Sequence, residues 1–171
     1  MDFVTVLKTR RSVRSYKPDP IPDDVLRRVL DGARMAPSAN NVQPWHFVIV
    51  RDAAQRRQLA EAAADQSFVG QAPVVIACCG KRYTDQFSWI SDKMYLVDCT
   101  IAIDHLTLAA RNEGLGTCWI GAFDHEAVKQ VVKAPASYDV IMLLPIGYPA
   151  SANAFRESTS RHSLQSIVSG L

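Results

Sequence analysis

The sequence predicts an α+β fold in which helices flank one central sheet of mixed or antiparallel strands. Apolar runs at 45–50, 73–79 and 140–148 are typical of buried strands. Between these runs lie segments whose apolar residues recur at helical spacing, and this order of elements favours a sandwich around one sheet. With 171 residues, the chain has the length of a single domain, 1–171, that buries roughly 70% of its unfolded surface.

The first half of the chain holds four predicted elements. The second of them begins with Asp23 and Asp24, because acidic side chains are stabilised by the positive end of a helix dipole. In order, the elements are an amphipathic helix at 2–9, a helix that Asp23 opens and Pro37 ends, a strand at 45–50 and an Ala-rich helix at 52–65.

The second half holds five predicted elements. The last of them contains Pro145, and because proline has no N–H for the ladder, we expect this strand to lie at a sheet edge or to carry a bulge there. In order, the elements are a central strand at 73–79, a helix from about 90 to 112, a short strand or loop at 118–123, a helix at 124–133 and a strand at 140–148.

The helix at 90–112 is apolar nearly all the way round. Such a helix is buried in a large core or between subunits, and one small domain offers few places to bury it. We therefore expect a homodimer whose interface this helix lines. The tail at 149–171 is polar and Ser-rich as far as 163, so we expect it to lie on a partner subunit.

Composition and charge exclude several classes of protein. Apolar residues make up 48% and charged residues 21% of the chain, as in ordinary globular proteins, which excludes a disordered or fibrous chain. The net charge of +2 is too small to predict nucleic-acid binding. The sequence has neither the zones of a signal peptide nor an apolar run of ~20 residues, so we expect no membrane association and a cytoplasmic location.

The reactive side chains predict neither a metal site nor a catalytic residue of the protein's own. The four histidines lack metal-type spacing, and no GxSxG or P-loop motif occurs. An enzyme built this way needs a cofactor to carry its reaction. Reduced core thiols are favoured over disulfides or a zinc site for the four cysteines, which lie in apolar segments without CxxC spacing: Cys78, Cys79, Cys99 and Cys118.

The segment R-R-S-V-R at 10–14 concentrates positive charge. Arg10 and Arg14 share a face if the segment ends a helix, and the Ser12 hydroxyl lies between them. Guanidinium groups this close repel each other unless water or a bound anion neutralises them, and their fork geometry suits a phosphate. The segment is therefore either a solvated basic turn or an anion site.

The segment A-P-S-A-N-N-V-Q-P-W at 36–45 places polar side chains on a loop that Pro37 and Pro44 stiffen. Its hydroxyl and amide groups, including those of Ser38 and Asn41, can read the edge of a planar heterocycle. The same residues also suit an Asn-rich turn that ends a helix. Both interpretations stay open from this segment alone.

Two further segments carry candidate binding residues. G-L-G-T-C-W-I-G-A-F at 114–123 is rich in glycine, which lets the backbone approach a ligand or simply pack a tight turn. It is not a dinucleotide-binding fingerprint, because the spacing is wrong and it follows a helix. S-R-H at 160–162 supplies Arg161 as a further candidate phosphate ligand.

Together, and in this order along the chain, the four segments resemble the flavin-dependent nitroreductases, in their short-chain branch. The resemblance spans essentially the whole chain. It implies a nitroreductase-like fold and a homodimer with the long helix at the interface, the tail on the partner and one FMN in each of two clefts between the subunits. It also implies NADH or NADPH as the reductant and a small molecule as the acceptor.

The resemblance implies a role for each matching residue. Arg10, Ser12 and Arg161 would hold the FMN phosphate, with Arg11 nearby. Arg14 would face the pyrimidine end of the ring and stabilise the negative charge that develops there on reduction. The remaining contacts would be made by the backbone of Gly121 and Ala122, by Ile120 on a ring face and, from the other subunit, by Pro37, Ser38, Ala39 and Asn41.

The implied reaction is a ping-pong transfer of hydride from NAD(P)H through flavin N5 to nitroaromatic, quinone or related acceptors. Dehalogenation and heterocycle oxidation are alternatives on the same scaffold. A flavin-binding protein without turnover is an alternative from another class of protein.

Overall fold

A computed structural model of the chain describes residues 1–83, 92–157 and 160–170. The helices are α1 (Phe3–Thr9), α2 (Asp23–Arg34), α3 (Ala53–Ala62), α4 (Ser67–Gln71), α5 (Met94–Asn112) and α6 (His125–Val132). The strands are β1 (Trp45–Val50), β2 (Val74–Lys81), β3 (Gly116–Thr117) and β4 (Tyr138–Gly147). Within the described residues, no helix combines the length and apolar character needed to cross a bilayer.

The predicted elements are present, with bounds that differ by a few residues. At 118–123, where the sequence predicted a short strand or loop, the structure shows loop with an isolated bridge at Ile120, after the short strand β3. The helix predicted at 52–65 ends at Ala62, and α4 follows it as a separate short helix that the sequence pattern did not indicate. The helix predicted at 90–112 is observed as α5, and positions 90 and 91 lie outside the described residues.

Aspartate side chains mark the starts of three helices. Asp2, Asp52 and Asp124 each accept a hydrogen bond from the backbone N–H three residues later, at 2.9 to 3.0 Å. A carboxylate in this position satisfies a helical N–H and suits the positive end of the dipole. These local contacts explain why α1, α3 and α6 start close to their predicted positions.

The four strands pair in the order β1-β2-β4-β3, and each neighbouring pair is antiparallel. The sheet thus takes the antiparallel form of the two that the sequence allowed. A parallel contact occurs outside the named strands, as an isolated bridge between Ser12 and Thr117.

Pro145 lies inside the sheet, which corrects the expectation of an edge strand or a bulge at this residue. It pairs with Val75 of β2. On the β3 side its carbonyl accepts from the Cys118 N–H at 3.4 Å, one residue beyond the end of β3. Since N–H and C=O of one strand residue point to the same side, the missing N–H faces the place where β3 has ended. An interior strand therefore tolerates proline here.

Strand β2 shows why an unbroken apolar run suits this sheet. Every side chain from Val74 to Gly80 is buried, because helices cover both faces. One face packs against α3, α4 and α6, through residues that include Leu59, Val69 and Val128. The other packs against α2 and α5, through residues that include Val29, Ile103 and Leu106.

Helix α5 is central to the second of these layers. It packs against α2, the sheet and α1, and Ile103 and Leu106 are completely buried. The core of its own chain therefore accounts for much of its apolar character. Leu96 and Val97 nevertheless stay 37% and 51% exposed. The dimer contact along this helix remains a prediction. Leu96 and Val97 are the residues through which we expect it.

The first part of the C-terminal tail folds onto its own chain. Pro149 forms a bridge with Tyr16, the Ala150 N–H donates to the Ser15 carbonyl at 3.0 Å, and Phe155 packs beside Val13. This corrects the expectation that the whole tail lies on a partner. For 160–170 that contact stays a prediction, and the apolar side chains of this stretch are exposed in the single chain.

All four cysteines are free and buried, as the sequence favoured. Burial raises the pKa of the Cys79 thiol to about 11 and that of the Cys99 thiol to about 12. The thiols are therefore protonated near neutral pH and behave as small core residues.

Candidate functional site

The segment 10–14 leaves α1 and runs beside β3. The Val13 N–H donates to the Thr117 carbonyl at 2.9 Å, next to the bridge between Ser12 and Thr117. Because side chains alternate along an extended segment, Val13 is buried while Ser12 and Arg14 are exposed. The sheet edge therefore presents the polar members of R-R-S-V-R to the outside.

Four arginines converge at the start of this segment. Burial lowers the pKa of the Arg11 guanidinium, and nearby positive charges lower it further. Those charges belong to Arg161, Arg10 and Arg156, while Glu157 opposes them more weakly. The structure therefore brings the predicted Arg10, Arg11 and Arg161 together and adds Arg156. We call this set the arginine cluster.

The Arg11 side chain also completes the end of α1. It donates to the carbonyls of Lys8 at 3.1 Å and Arg10 at 2.6 Å. These carbonyls lie at the negative end of the helix, where a cation is stabilised. Arg11 thus has a structural task of its own at the end of α1, and the Arg161 guanidinium donates to the Ser160 carbonyl at 2.8 Å.

Beneath this segment lies the Cys118 thiol. Burial raises its pKa, and the charge of Arg14, a hydrogen bond from Ser12 and the charge of Arg10 act against that rise. Arg10, Ser12 and Arg14 therefore all act on the same thiol, Ser12 through a hydrogen bond and the two arginines through their charge. The polar groups of R-R-S-V-R therefore act at one place, as the anion-site interpretation requires.

The three glycines of 114–123 differ in their backbone conformation and in what surrounds them. Gly114 adopts φ of +78° at the end of α5, a conformation that favours glycine. At Gly116 a Cβ would lie 2.5 Å from a methyl group of Val13, so internal packing excludes a side chain. At Gly121 a Cβ would meet only Met142, at 3.8 Å, which is ordinary contact. Neither backbone conformation nor internal crowding explains Gly121.

The residues around Gly121 present backbone to the outside. Ile120 is paired with Leu143 through two backbone hydrogen bonds of 3.0 and 3.1 Å, and it is only 3% exposed. Its side chain is thus buried in the single chain, and the ring contact expected of Ile120 stays a prediction. Gly121 and Ala122 are exposed, so a ligand can approach their backbone.

The loop at 36–45 is shaped by its own polar groups. The Ser38 hydroxyl oxygen accepts from the Gln43 N–H at 2.9 Å, and the Gln43 amide donates to Asn41. Three residues that are not glycine, Asn40, Asn41 and Gln43, adopt left-handed φ of 49°, 56° and 53°. The interpretation as an Asn-rich turn that ends a helix therefore describes the backbone. It does not explain why Asn41 is exposed or why the loop has a strained shape.

A buried carboxylate anchors this loop. The Ala39 N–H donates to Asp98 Oδ1 of α5 at 3.2 Å, and the Tyr83 hydroxyl donates to Asp98 Oδ2. Asp98 is 3% exposed. The polar face of the loop, with Pro37 and Asn41, stays exposed on the other side.

In one chain, the two groups of predicted residues lie at opposite ends of α5. The loop is attached at Asp98, whereas the arginine cluster follows Thr9, whose hydroxyl accepts from Arg111 Nε at 2.9 Å. Asp98 and Arg111 are 13 residues apart, which is about 20 Å along a helix axis. The structure therefore does not bring all the predicted site residues together within one chain.

Sequence reasoning missed Arg156, Cys118 and Asp98 as residues of the site. The one usable signal concerned Asp98, a lone acid inside the apolar run M-Y-L-V-D-C-T-I-A-I. An acid in such a place is expensive unless it is paired. Arg156 and Cys118 carried no such signal, because their neighbours are set by the fold.

Comparisons with known proteins identify relatives of this chain. The model of the nitroreductase family matches residues 7–148. A solved structure of a nitroreductase family protein from Clostridium novyi NT is 31% identical, covers 92% of this chain and 89% of its own, and superimposes with a TM-score of 0.82.

Two curated proteins are also similar. The 5,6-dimethylbenzimidazole synthase of Rhodospirillum rubrum is 31% identical over 86% of this chain and 82% of its own length. The FMN reductase (NAD(P)H) of Bacillus subtilis is 28% identical over 90% of this chain and 68% of its own length.

Proposed function

This chain belongs to the nitroreductase family and is an NAD(P)H-dependent oxidoreductase, and we propose that it works with FMN in a cleft between two copies of the chain. When bound, FMN would supply hydride-transfer chemistry between NADH or NADPH and a nitroaromatic, quinone or related acceptor. The similarity to an FMN reductase supports the cofactor.

The observation that carries the proposal is the arginine cluster beside Ser12. Several guanidinium groups held this close favour a bound anion with multiple oxygen atoms, and a phosphate fits their fork geometry. In this proposal Arg10, Ser12 and Arg161 hold the FMN phosphate, and Arg11 contributes mainly by keeping the end of α1 in place.

The exposed backbone at Gly121 and Ala122 supplies the second part of the site. An N–H that faces a ligand is a fixed donor, and Gly121 keeps the approach free of a side chain. We assign the flavin N5 and O4 to these groups. The exposed cation of Arg14 is assigned to the pyrimidine end of the ring, where it stabilises negative charge that develops on reduction.

The loop at 36–45 supplies the third part, from the second copy of the chain. A two-fold axis that crosses α5 near its middle places the Asp98 end of one helix beside the Arg111 end of the other. Pro37, Ser38, Ala39 and Asn41 of that copy then face the ring. The exposed Leu96 and Val97 on α5 support such a contact.

A spectrum and a set of titrations test the proposal. The purified protein should show a flavin spectrum or take up FMN when reconstituted. Arg10→Ala and Arg161→Ala should each weaken FMN binding about tenfold or more, which is the loss expected for a charge-assisted hydrogen bond. Neither change should alter riboflavin binding, because riboflavin has no phosphate.

Arg27→Ala is the matched control, since it removes an exposed arginine of α2 and should change neither affinity. A colourless protein that takes up no FMN would overturn the proposal. Equal effects of Arg10→Ala on FMN and riboflavin would remove Arg10 from the phosphate site.

The similarity to 5,6-dimethylbenzimidazole synthase favours one second candidate, an oxidation of a heterocycle on the same scaffold. Steady-state NAD(P)H oxidation with a quinone or nitrofuran separates the two. Rapid turnover supports the reductase. FMN binding without turnover favours the second candidate or a flavin-binding protein.

A further inference from the structure

We propose that Asp98 is a positioning residue for the flavin, acting through the loop at 36–45 rather than by touching the cofactor. The inference rests on the proposed function, because it assigns that loop to a flavin ring. The observation that supports it is a hydrogen bond: the Ala39 N–H, in the middle of the loop, donates to Asp98 Oδ1 at 3.2 Å.

The burial of Asp98 calls for a reason. Its side chain is 3% exposed and lies on a helix whose other buried residues are mostly apolar. A buried carboxylate is costly unless both oxygens are bonded, and an apolar residue of similar size is often more stabilising at such a place. Here both oxygens have donors, Ala39 N–H and Tyr83 hydroxyl, so the group serves as an anchor between elements.

The loop needs an anchor because its backbone is strained. Left-handed φ at Asn40, Asn41 and Gln43 is unfavourable for residues other than glycine, even though asparagine tolerates it best. Such a shape persists only where the surroundings determine it. The bond from Ser38 to Gln43 closes the loop on itself, whereas the bond to Asp98 fixes where the loop stands on α5.

The consequence is preorganisation of the ring contacts. Ala39 is itself one of the residues assigned to the ring, and Ser38 precedes it. A loop that is already held in its binding shape loses little freedom when the ring arrives. Removing the anchor should therefore weaken the ring contacts and leave the phosphate contacts intact.

The test compares FMN and riboflavin binding in Asp98→Ala and Asp98→Asn, each reconstituted as full-length protein. Asp98→Ala should weaken both ligands by the same factor, about tenfold, as for one lost charge-assisted hydrogen bond. Asp98→Asn keeps an acceptor without the charge, so its effect should be about threefold. Hydrogen exchange at the Ala39 amide should become faster in the same order.

Thr107→Val is the matched control. Thr107 is 1% exposed on the same helix, and its hydroxyl donates at 2.9 Å to the Asp104 carbonyl within α5. The substitution removes a buried polar group of α5 away from the loop, so ligand affinity and Ala39 exchange should not change.

Several results would overturn the role of Asp98. The first is that both variants bind FMN and riboflavin as the wild-type protein does and that exchange at the Ala39 amide is unchanged. If Asp98→Ala does not fold, the same result in Asp98→Asn is sufficient. A loss of FMN affinity without loss of riboflavin affinity is another. Failure of the wild-type protein to bind FMN would instead overturn the proposed function, and Ala39 exchange would still report on the anchor.

Discussion

Gly116 and Gly121 stand five residues apart in one glycine-rich segment, yet their surroundings differ. A Cβ at Gly116 would overlap a methyl group of buried Val13 at 2.5 Å. A Cβ at Gly121 would lie at ordinary contact distance from Met142. The first glycine is therefore needed by the fold, and we assign the second to the approach of a ligand.

This difference predicts opposite behaviour on substitution by alanine. Gly116→Ala should lower the free energy of unfolding by about 1–3 kcal/mol, because it overfills the space beside Val13. Gly121→Ala should change it by less than about 0.5 kcal/mol and should still weaken FMN binding. Denaturant unfolding of the apoprotein and FMN titration measure the two effects. Normal FMN affinity in Gly121→Ala would contradict close approach of the ring.

Individual residues were predictable where their chemistry was unusual for their place. Three arginines around one serine made an anion site one of two interpretations open from residue type and spacing, and in the fold the charges of Arg10 and Arg161 act on Arg11. Arg156 joins them only because the preceding residue, Phe155, packs onto the core. The ring contact of Ile120 stays a prediction, because a hydrophobic side chain beside a site can equally well belong to the core, where Ile120 is buried.

At the scale of elements, α5 connects the N-terminal segment with the tail. Near its end, Arg111 donates to the Thr9 hydroxyl at 2.9 Å and lies over the Phe155 ring at 4.0 Å from the centroid. Burial lowers the pKa of Arg111, but the group stays charged. This one side chain therefore holds both segments of the chain that carry the arginine cluster.

Arg111→Lys should release this part of the tail. Lysine keeps the charge but loses the planar stacking on Phe155, an interaction of about 0.5–2 kcal/mol. We expect faster tryptic cleavage after Arg156 and FMN binding weakened about threefold, because the tail carries two members of the cluster. Limited proteolysis and titration measure these effects. Arg34→Lys is the control, because Arg34 forms an exposed ion pair with Asp31. Equal rates of cleavage in the two variants would contradict the role of Arg111 in holding the tail.

Elements were predictable where a local pattern determines them. Periodicity located the helices, and the unbroken apolar run of β2 indicated a central strand. Pro145 was misplaced because its tolerance depends on the length of β3, which lies across the sheet. No local pattern reports where a neighbouring strand ends.

At the scale of the whole molecule, the loop at 36–45 and the arginine cluster lie about 20 Å apart along α5 in the single chain, and we propose that each is half of a site. Pairing two copies around a two-fold axis would join the loop of each to the arginine cluster of the other. The resulting protein would bind FMN only as a dimer, so each functional site would need residues from both copies.

Complementation between two defective variants tests this arrangement. Arg10→Ala with Ser12→Ala removes the phosphate half, and Asn41→Leu removes the loop half, because leucine disfavours the left-handed φ of 56°. Either variant alone should bind FMN poorly. After unfolding and refolding together, mixed dimers should contain one intact site of the two, so the mixture should recover FMN binding. Sites built within one chain would recover none.

The sequence alone predicted the candidate binding groups and the order of elements: the arginines, the serine and asparagine loop, the glycines and the periodicity around them. These are properties of residue type and short spacing, which need no fold to be recognised. Only the fold shows that Gly121, unlike Gly116, has room for a side chain. It also shows that Asp98 holds the loop, that Arg156 joins the cluster, and that the loop and the cluster lie apart in one chain. Each of these depends on contacts between residues distant in sequence, and such contacts are set by packing around α5 and the sheet.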